Sequence, residues 1–238
     1  MRYLFLFILI LAFSGCSTTK ITHAWEKTKD AAYVAATDPL TWGSAVAAGA
    51  LYATYDDDIT QHLIKKNLID SEIDEPLRTL NSALLYSSAM LVEDDTTMQK
   101  AKRLTTAFVG AGVARETTNT LNKSIKKSNP LKTENNAIGS HHSLDPFAQS
   151  ALTRRNVDDM SIPLWSKYGL NSLSYLSAAG SAFTRVQEGG HSFADQLVSA
   201  SIGNFIGLFF YEAFLAKSQE LEVSIYKDSV SICTTWHF

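Results

Sequence analysis

The chain has few cysteines, few prolines and no long run of basic residues, and each shortage excludes a class of protein. Two cysteines among 238 residues are too few for a disulfide framework or a four-thiolate zinc site. Five prolines and twelve glycines, spread along the chain, exclude collagen-like and low-complexity sequences. No cluster of Lys and Arg is longer than a pair and the formal net charge is −3, so we expect no nucleic-acid partner.

The rest of the composition is that of a folded domain. Hydrophobic residues make up 45% of the chain and charged residues 19%, which excludes intrinsic disorder. The length is sufficient for one domain with its own core, and we assign residues 23–238 to it.

The start of the chain is typical of a bacterial export signal. Arg2 is followed by an apolar run, Tyr3–Phe13, which is too short to span a membrane comfortably. Small residues, ending in Gly15, then precede Cys16. This order resembles the lipoprotein signal, in which the cysteine is lipidated and becomes the mature N-terminus; the alternative is an ordinary signal with a chance cysteine.

We therefore predict a signal peptide over residues 1–15, with Cys16 as the lipidation site and residues 16–22 as a lipidated start and tether. Ser17 after the cysteine resembles lipoproteins that are sent to the outer membrane. The expected location is the cell envelope of a Gram-negative bacterium, on the outer membrane and facing the periplasm.

Helical patterning dominates the remaining chain, and the fold class that it predicts is all-α, a helical bundle. The Asp38-Pro39 pair is a helix start, with Asp as the cap and Pro in the first turn. The predicted helices cover roughly 23–36, 42–55, 58–67, 74–92, 95–127 (as one helix or two), 142–155, 163–184 and 191–217. After Leu221 the residues favour strands, with a turn at 227–229, so we expect a short C-terminal β-hairpin.

One segment, 202–216, is apolar enough to raise the question of a membrane span. Asn204 and Glu212 interrupt it, so we interpret it as a buried core helix. The spacing of Gly203 and Gly207 permits close packing of another helix against it.

The first chemically interesting cluster contains Arg185, His191 and Asp195. If the last helix began at His191, the imidazole and the Asp195 carboxylate four residues later would share one face. The carboxylate could then orient the imidazole as a nucleophile or base. Gly189-Gly190 predicts a turn before the helix, whose free N–H groups would favour an anion, with Arg185 as a second ligand.

The second cluster begins at Gly139, where a polar loop leads into a helix. Ser140 could donate a hydrogen bond to a phosphate oxygen, and His142 could protonate a leaving alkoxide. The alternatives are a helix cap with exposed histidines, or a zinc site formed by His141, His142 and Asp145.

Together the clusters resemble the type 2 phosphatidic acid phosphatase superfamily, which includes bacterial acid phosphatases and vanadium haloperoxidases. Arg185, His191 and Asp195 match the spacing of its Arg-x5-His-x3-Asp motif. Ser140 and His142 match two positions of its Pro-Ser-Gly-His motif. The resemblance covers roughly residues 105–210.

The first motif of that superfamily, Lys-x6-Arg-Pro, has lost both of its cations. Asn122 and Asn129 stand at the two positions. Lys123 and Lys126 lie nearby as replacement phosphate ligands, and so does Lys127. Each lost charge-assisted contact removes about 1.5–3 kcal/mol, which predicts a weakened site.

The resemblance implies an acid phosphatase or haloperoxidase type of bundle and phosphomonoester hydrolysis through a phosphohistidine, on a lipid or small-molecule phosphate. His191 would attack phosphorus, Asp195 would orient it, and His142 would protonate the leaving group. Arg185 and Ser140 would hold the phosphoryl oxygens, without a metal or a cofactor. The alternative is a catalytically degenerate envelope lipoprotein that binds a phosphorylated ligand or has a structural role; a vanadate-dependent haloperoxidase would need both missing cations.

Overall fold

The computed structural model describes residues 18–66, 68–93, 95–131, 140–216, 220–226 and 229–235. Of residues 18–24 and of the last two ranges it describes the backbone alone. The predicted signal peptide over residues 1–15, the lipidation site Cys16 and the loop residue Gly139 lie outside the described residues.

Helices account for most of the described chain, which confirms the predicted all-α class. They are α1 Thr18–Thr37, α2 Pro39–Ala53, α3 Asp56–Lys66, a 3-10 helix Ser71–Ile73, α4 Asp74–Leu91, α5 Thr97–Ser124, α6 His141–Asp158, α7 Leu164–Gln187 and α8 Phe193–Phe214. The bounds of α5 decide between two alternatives that the sequence left open, and the bounds of α1 differ from the prediction. α5 is one helix, not two, and α1 already begins at Thr18, within the segment 16–22 that we predicted as a tether.

Helix α8 lies at the centre of the fold and packs most closely against α6. A Cβ atom on Gly203 would lie 2.4 Å from the carbonyl oxygen of Leu144, and one on Gly207 would lie 2.3 Å from that of Ala148. Only glycine permits this approach of two backbones. The predicted close packing at Gly203 and Gly207 is confirmed.

α1 ends and α2 begins at the point where the sequence predicts a helix start. Pro39 occupies the first position of α2, and the Asp38 carboxylate accepts a hydrogen bond of 3.0 Å from the Leu40 N–H. Proline lacks the N–H that would continue α1, and the Asp38 cap replaces one of the missing helix bonds.

α1 and α2 run in one direction along α8, antiparallel to it. Three contacts mark their course, from the C-terminal to the N-terminal end of α8: Lys27 with Ala216, Asp38 with Asn204, and Tyr52 with Asp195. The start of α1 therefore lies at one end of α8, and the end of α2 lies at the other.

α8 is the one helix among the described residues whose length and hydropathy would suffice to cross a membrane. Its apolar window is 56% buried inside the fold, as in the core helix of a globular domain. Phe210 and Ile206 form a core cluster with Leu144 and Ala148 of α6.

Two strands, β1 Glu220–Tyr226 and β2 Ser229–Thr235, follow the helices and pair antiparallel. Glu220 is opposite Thr235, and Tyr226 is opposite Ser229. This register places the two strands directly next to each other along their whole length.

Candidate functional site

The start of α8 is set by a capping box. The Ser192 hydroxyl accepts from the Asp195 N–H at 3.3 Å, and the Asp195 carboxylate accepts from the Ser192 N–H at 2.9 Å. Since Ser192 is the cap, α8 begins at Phe193 and His191 precedes it. The prediction of a helix from His191, with His191 and Asp195 on one helical face, is wrong for this reason.

The other N–H groups of the first turn of α8 also have protein partners. The Phe193 N–H donates to the Thr60 hydroxyl at 3.0 Å, and the Ala194 N–H donates to Asp56 Oδ1 at 2.9 Å. The carboxylates of Asp56 and Asp195 already compensate the positive end of the helix dipole. Our expectation that free N–H groups here bind an anion beside His191 is therefore wrong.

The Asp195 side chain is fully buried and bonded to several groups. Its Oδ1 atom accepts from the Tyr52 hydroxyl and from Lys127 Nζ, the latter at 3.0 Å. Burial, followed by the hydrogen bond to Asp195, raises the pKa of Tyr52, so the phenol stays protonated as a donor. Asp195 thus ties α2, the segment after α5 and α8 together at one end of the bundle.

Of the three lysines near the degenerate first motif, the structure brings Lys127 to this cluster. Its Nζ atom also lies 3.2 Å from Ser192 Oγ and 4.3 Å from the centre of the Tyr52 ring. Lys123 and Lys126, which we predicted as phosphate ligands, have exposed side chains. Asp195 is the partner that singles out Lys127.

The turn between α7 and α8 places Arg185 beside His191. The His191 N–H donates to the Arg185 carbonyl oxygen at 3.3 Å, and Gly189 turns the chain with a φ of +71°. A Cβ atom on Gly190 would lie 3.0 Å from Arg185 Nη2, so the guanidinium covers the turn. The guanidinium is paired with the Glu188 carboxylate, and the predicted turn at Gly189-Gly190 is confirmed.

The start of α6 differs from the start of α8 in that the side chain of its cap residue is not hydrogen-bonded to the helix. Ser140 is the cap residue and is 2% exposed, yet within the described part of the chain its hydroxyl has no hydrogen-bond partner. Its N–H donates to Ser199 Oγ at 3.3 Å. A buried, unpartnered hydroxyl at a helix N-terminus is a place where an anion can bind, because the helix dipole and the hydroxyl both favour negative charge.

His142 forms an imidazole–carboxylate pair at the same helix end. Its Nδ1 atom lies 2.5 Å from Asp74 Oδ2, and Arg78 Nη1 lies 3.4 Å from that ring nitrogen. Ser181 donates to the other Asp74 oxygen. Burial alone would raise the pKa of Asp74, but the hydrogen bonds from His142 and Ser181 lower it below its ordinary value.

His141 faces another helix, so the zinc alternative does not assemble. Its Nε2 atom lies 3.1 Å from Asn119 Oδ1 on α5, whereas His142 faces α4. Burial, then the charge of Arg115, lowers the pKa of His141. In the described ranges no three His, Cys, Asp or Glu side chains are grouped as metal ligands would be.

A polar cleft of about 250 Å³ lies between α4 and α6. Its lining consists of Glu75, Arg78, Thr79, Ser82, Asp145, Pro146 and Gln149. Burial raises the pKa of Asp145, whose Oδ1 accepts from Gln149 at 3.2 Å. The cleft has room for a small polar group, and Arg78 of its lining also contacts the His142 ring.

Hydrogen bonds link the starts of α6 and α8. Ser199 Oγ, which accepts from the Ser140 N–H, itself donates to the Asp195 carbonyl oxygen at 3.0 Å. Ser143 donates to the Gln196 side chain. The two sequence clusters therefore lie at the same end of the bundle, on neighbouring helices.

Sequence reasoning missed Asp74, Arg78 and Asp56. Asp74 reads as a helix-start residue and Asp56 as a cap of its own helix, and both are found in the first turns of α4 and α3. Their contacts with His142 and α8 cross long stretches of chain, which no local pattern reveals. The Asp-Glu-Pro start with Arg78 four residues later is the one signal that marks a charged helix end.

Comparison of the chain with protein-family models, with curated proteins and with solved structures gave no match. The resemblance to the type 2 phosphatidic acid phosphatase superfamily therefore depends on the motif residues alone.

Asp74→Asn should lower the free energy of unfolding at pH 7 by about 1–3 kcal/mol, because the variant loses a charged hydrogen-bond partner of His142. The folded pKa of Asp74 is lowered, so its contribution is present above the unfolded value near 3.9 and is lost as the pH falls through the folded value. Urea unfolding at pH 7 and pH 3 measures this, with exposed Asp57→Asn as control. A difference of equal size at both pH values would contradict the prediction.

Proposed function

We propose that the chain is a phosphomonoesterase that acts through a phosphohistidine, on the helical scaffold of the acid phosphatases and haloperoxidases. The observation that supports it best is the start of α6, where the unpartnered Ser140 hydroxyl lies beside His142 and its carboxylate partner Asp74. Hydrogen bonds through Ser199 join this helix end to the Asp195 carbonyl oxygen of α8, four residues after His191. No metal or cofactor is part of the proposal.

In this proposal the phosphoryl group binds at the N-terminus of α6. Ser140 donates to one oxygen, and Arg78, close to His142, supplies a cation that the sequence motifs did not indicate. His142 is the general acid, and Asp74 holds its Nδ1 so that the other ring nitrogen can carry the transferred proton.

The covalent step would use His191. An imidazole nitrogen of His191 forms a bond to phosphorus while the bond to the leaving oxygen breaks, and His142 gives that oxygen its proton. Water then attacks phosphorus and gives its proton to His142, and the nitrogen–phosphorus bond breaks. Arg185 lies over the turn that carries His191 and is the cation that matches the superfamily motif.

The charges around His191 support a slow enzyme. Lys127 is paired with Asp195, and Arg185 is paired with Glu188. Both cations must divide their attraction between a phosphate and a carboxylate that is already bound. With Asn122 and Asn129 in place of the first-motif cations, transition-state stabilisation is reduced further.

The test is hydrolysis of phosphomonoesters by the purified protein. His191→Ala should reduce turnover to the buffer background, since the covalent step loses its nucleophile. His62→Ala, an exposed histidine on α3, is the control and should retain wild-type turnover. Turnover in His191→Ala equal to that of the wild type would disprove the proposal.

A second candidate is a lipoprotein that binds a phosphorylated ligand without hydrolysing it. The fully capped start of α8 favours it, because Thr60, Asp56 and Ser192 occupy the N–H groups that a reacting phosphoryl group would use. For this candidate, phosphate analogues bind, Ser140→Ala weakens the binding, and the wild type shows no turnover.

We propose further that Cys16 carries the lipid anchor and that the protein faces the periplasm from the outer membrane. Cys16→Ser should abolish labelling with palmitate, because the acylated thiol is absent. When residues 1–15 are also replaced by an ordinary cleavable signal, the unlipidated chain should leave the membrane fraction after repeated dilution and washing. A chain that stays in the membrane fraction would show that a span or hairpin holds it instead.

A further inference from the structure

α1 and α2 expose large apolar side chains on their solvent side. Trp25, Tyr33, Trp42 and Val46 are 60, 70, 54 and 62% exposed, and we call these four residues the outer face. α2 carries no charged residue over its 15 positions, and Thr41 and Ala48 are its two buried residues.

This exposure is unfavourable in water. A surface helix of a globular protein normally has charged or polar residues on its solvent side. In α2, Trp42, Val46, Gly49 and Ala53 follow one another at helical spacing along the exposed side. A continuous exposed apolar surface of this kind marks a place where a partner or a membrane binds.

We propose that the outer face lies on the lipid bilayer in which Cys16 is anchored; this choice depends on the proposed lipidation. α1 begins at Thr18, two residues after Cys16. Because α1 and α2 run in one direction along α8, the outer face continues from Trp25, nine residues after Cys16, to Val46, over about 30 Å. Among the described elements, α1 is the nearest to Cys16 in sequence.

The chemistry of the face fits a bilayer surface. Trp25, Tyr33 and Trp42 are of the types that concentrate at membrane–water boundaries. Of the three exposed charged residues between Trp25 and Tyr33, Glu26 and Lys29 form an ion pair of 2.7 Å with each other, and Asp30 is the third. The anchor holds the chain at high effective concentration and so adds to the binding that the face provides by itself.

Docking of the outer face would also place the candidate site. Tyr52, at the end of α2, donates to Asp195 at the start of α8. With α2 on the membrane, this end of α8 lies close to the lipid surface. If the domain stood upright on its anchor, the site would be about 50 Å away from that surface.

The experiment uses the unlipidated chain and vesicles of phosphatidylethanolamine and phosphatidylglycerol. We expect the chain to sediment with the vesicles reversibly. Trp42→Glu together with Val46→Glu should reduce the partition coefficient at least about tenfold, as expected for losing the burial of a large apolar side chain. Trp165→Glu, at a residue 77% exposed on α7, is the matched control and should bind as the wild type does.

A milder pair of variants covers the case in which the charged variant does not fold. With brominated lipids, fluorescence quenching should fall in Trp42→Phe and persist in Trp165→Phe. Failure of the unlipidated chain to bind vesicles, or equal quenching in the two Phe variants, would overturn the proposal. A dimer that Val46→Glu dissociates, in a chain that ignores vesicles, would overturn it too and assign the face to a second copy. Palmitate labelling tests Cys16 separately, so loss of the anchor and loss of the docking face are distinguishable.

Discussion

Gly207→Ala should lower the free energy of unfolding by about 3 kcal/mol or more. The new Cβ atom would lie 2.3 Å from the Ala148 carbonyl oxygen and 2.7 Å from the Ala151 Cβ atom. Neither group can rotate away, so α6 and α8 must separate. Separation opens a core in which Leu144 is completely buried, and overpacking of a closed core is costly. Chemical or thermal unfolding measures the loss.

Gly112→Ala is the matched control for this variant. Gly112 lies within α5, and a Cβ atom there would meet nothing within 4 Å. Alanine should therefore raise the free energy of unfolding by about 0.5–1 kcal/mol through helix propensity and reduced freedom of the unfolded chain. If Gly207→Ala were as stable as Gly112→Ala, the close approach of α6 and α8 would be disproved.

The parts of the fold that sequence predicts are those encoded within a few residues. Asp38-Pro39 starts α2 because the cap and the missing N–H act locally, and Gly203 with Gly207 marks one face of α8 through helical spacing. The start of α8 could be predicted from local sequence in the same way, since Ser192 and Asp195 have the spacing of a capping box. We instead assigned Asp195 a functional role with His191, and so predicted a helix that begins at His191 instead of one capped by Ser192.

What sequence does not predict is which distant groups complete each helix end. Asp56 and Thr60 on α3 accept from the first N–H groups of α8, more than a hundred positions later in the chain. In the sequence Lys127 is equivalent to the two other lysines near the first motif. In the structure the segment after α5 places its side chain against Asp195. These pairings follow from how helices pack, and composition and spacing do not determine them.

The largest expected effect on chemistry is the accumulation of a phosphoenzyme in His142→Ala. With nitrophenyl phosphate the leaving nitrophenolate is a stable anion, so the first step does not need the proton from His142. The second step needs a base to take the proton of the attacking water, and its loss should slow that step by about 10²–10⁴-fold. Phosphate should therefore remain on His191 when His142 is absent.

The measurement is radioactive phosphate retained by the denatured protein, stable in alkali and lost in acid, as a phosphohistidine is. His141→Ala is the matched control: its imidazole faces Asn119 on α5, not Asp74, so the variant should not accumulate label. Adding His191→Ala to His142→Ala should remove the label completely.

Each variant separates one role from another. Label that survives in the variant lacking both His142 and His191 would identify a different nucleophile. Slow turnover without label in His142→Ala would show that His142 acts before the covalent step, so that the phosphoryl group never reaches His191. Label in His141→Ala as well would mean that Asp74 does not single out His142, although its carboxylate lies 2.5 Å from that ring. Accumulation confined to His142→Ala requires that the imidazole–carboxylate pair at the start of α6 acts on a phosphate carried by His191, in the turn before α8.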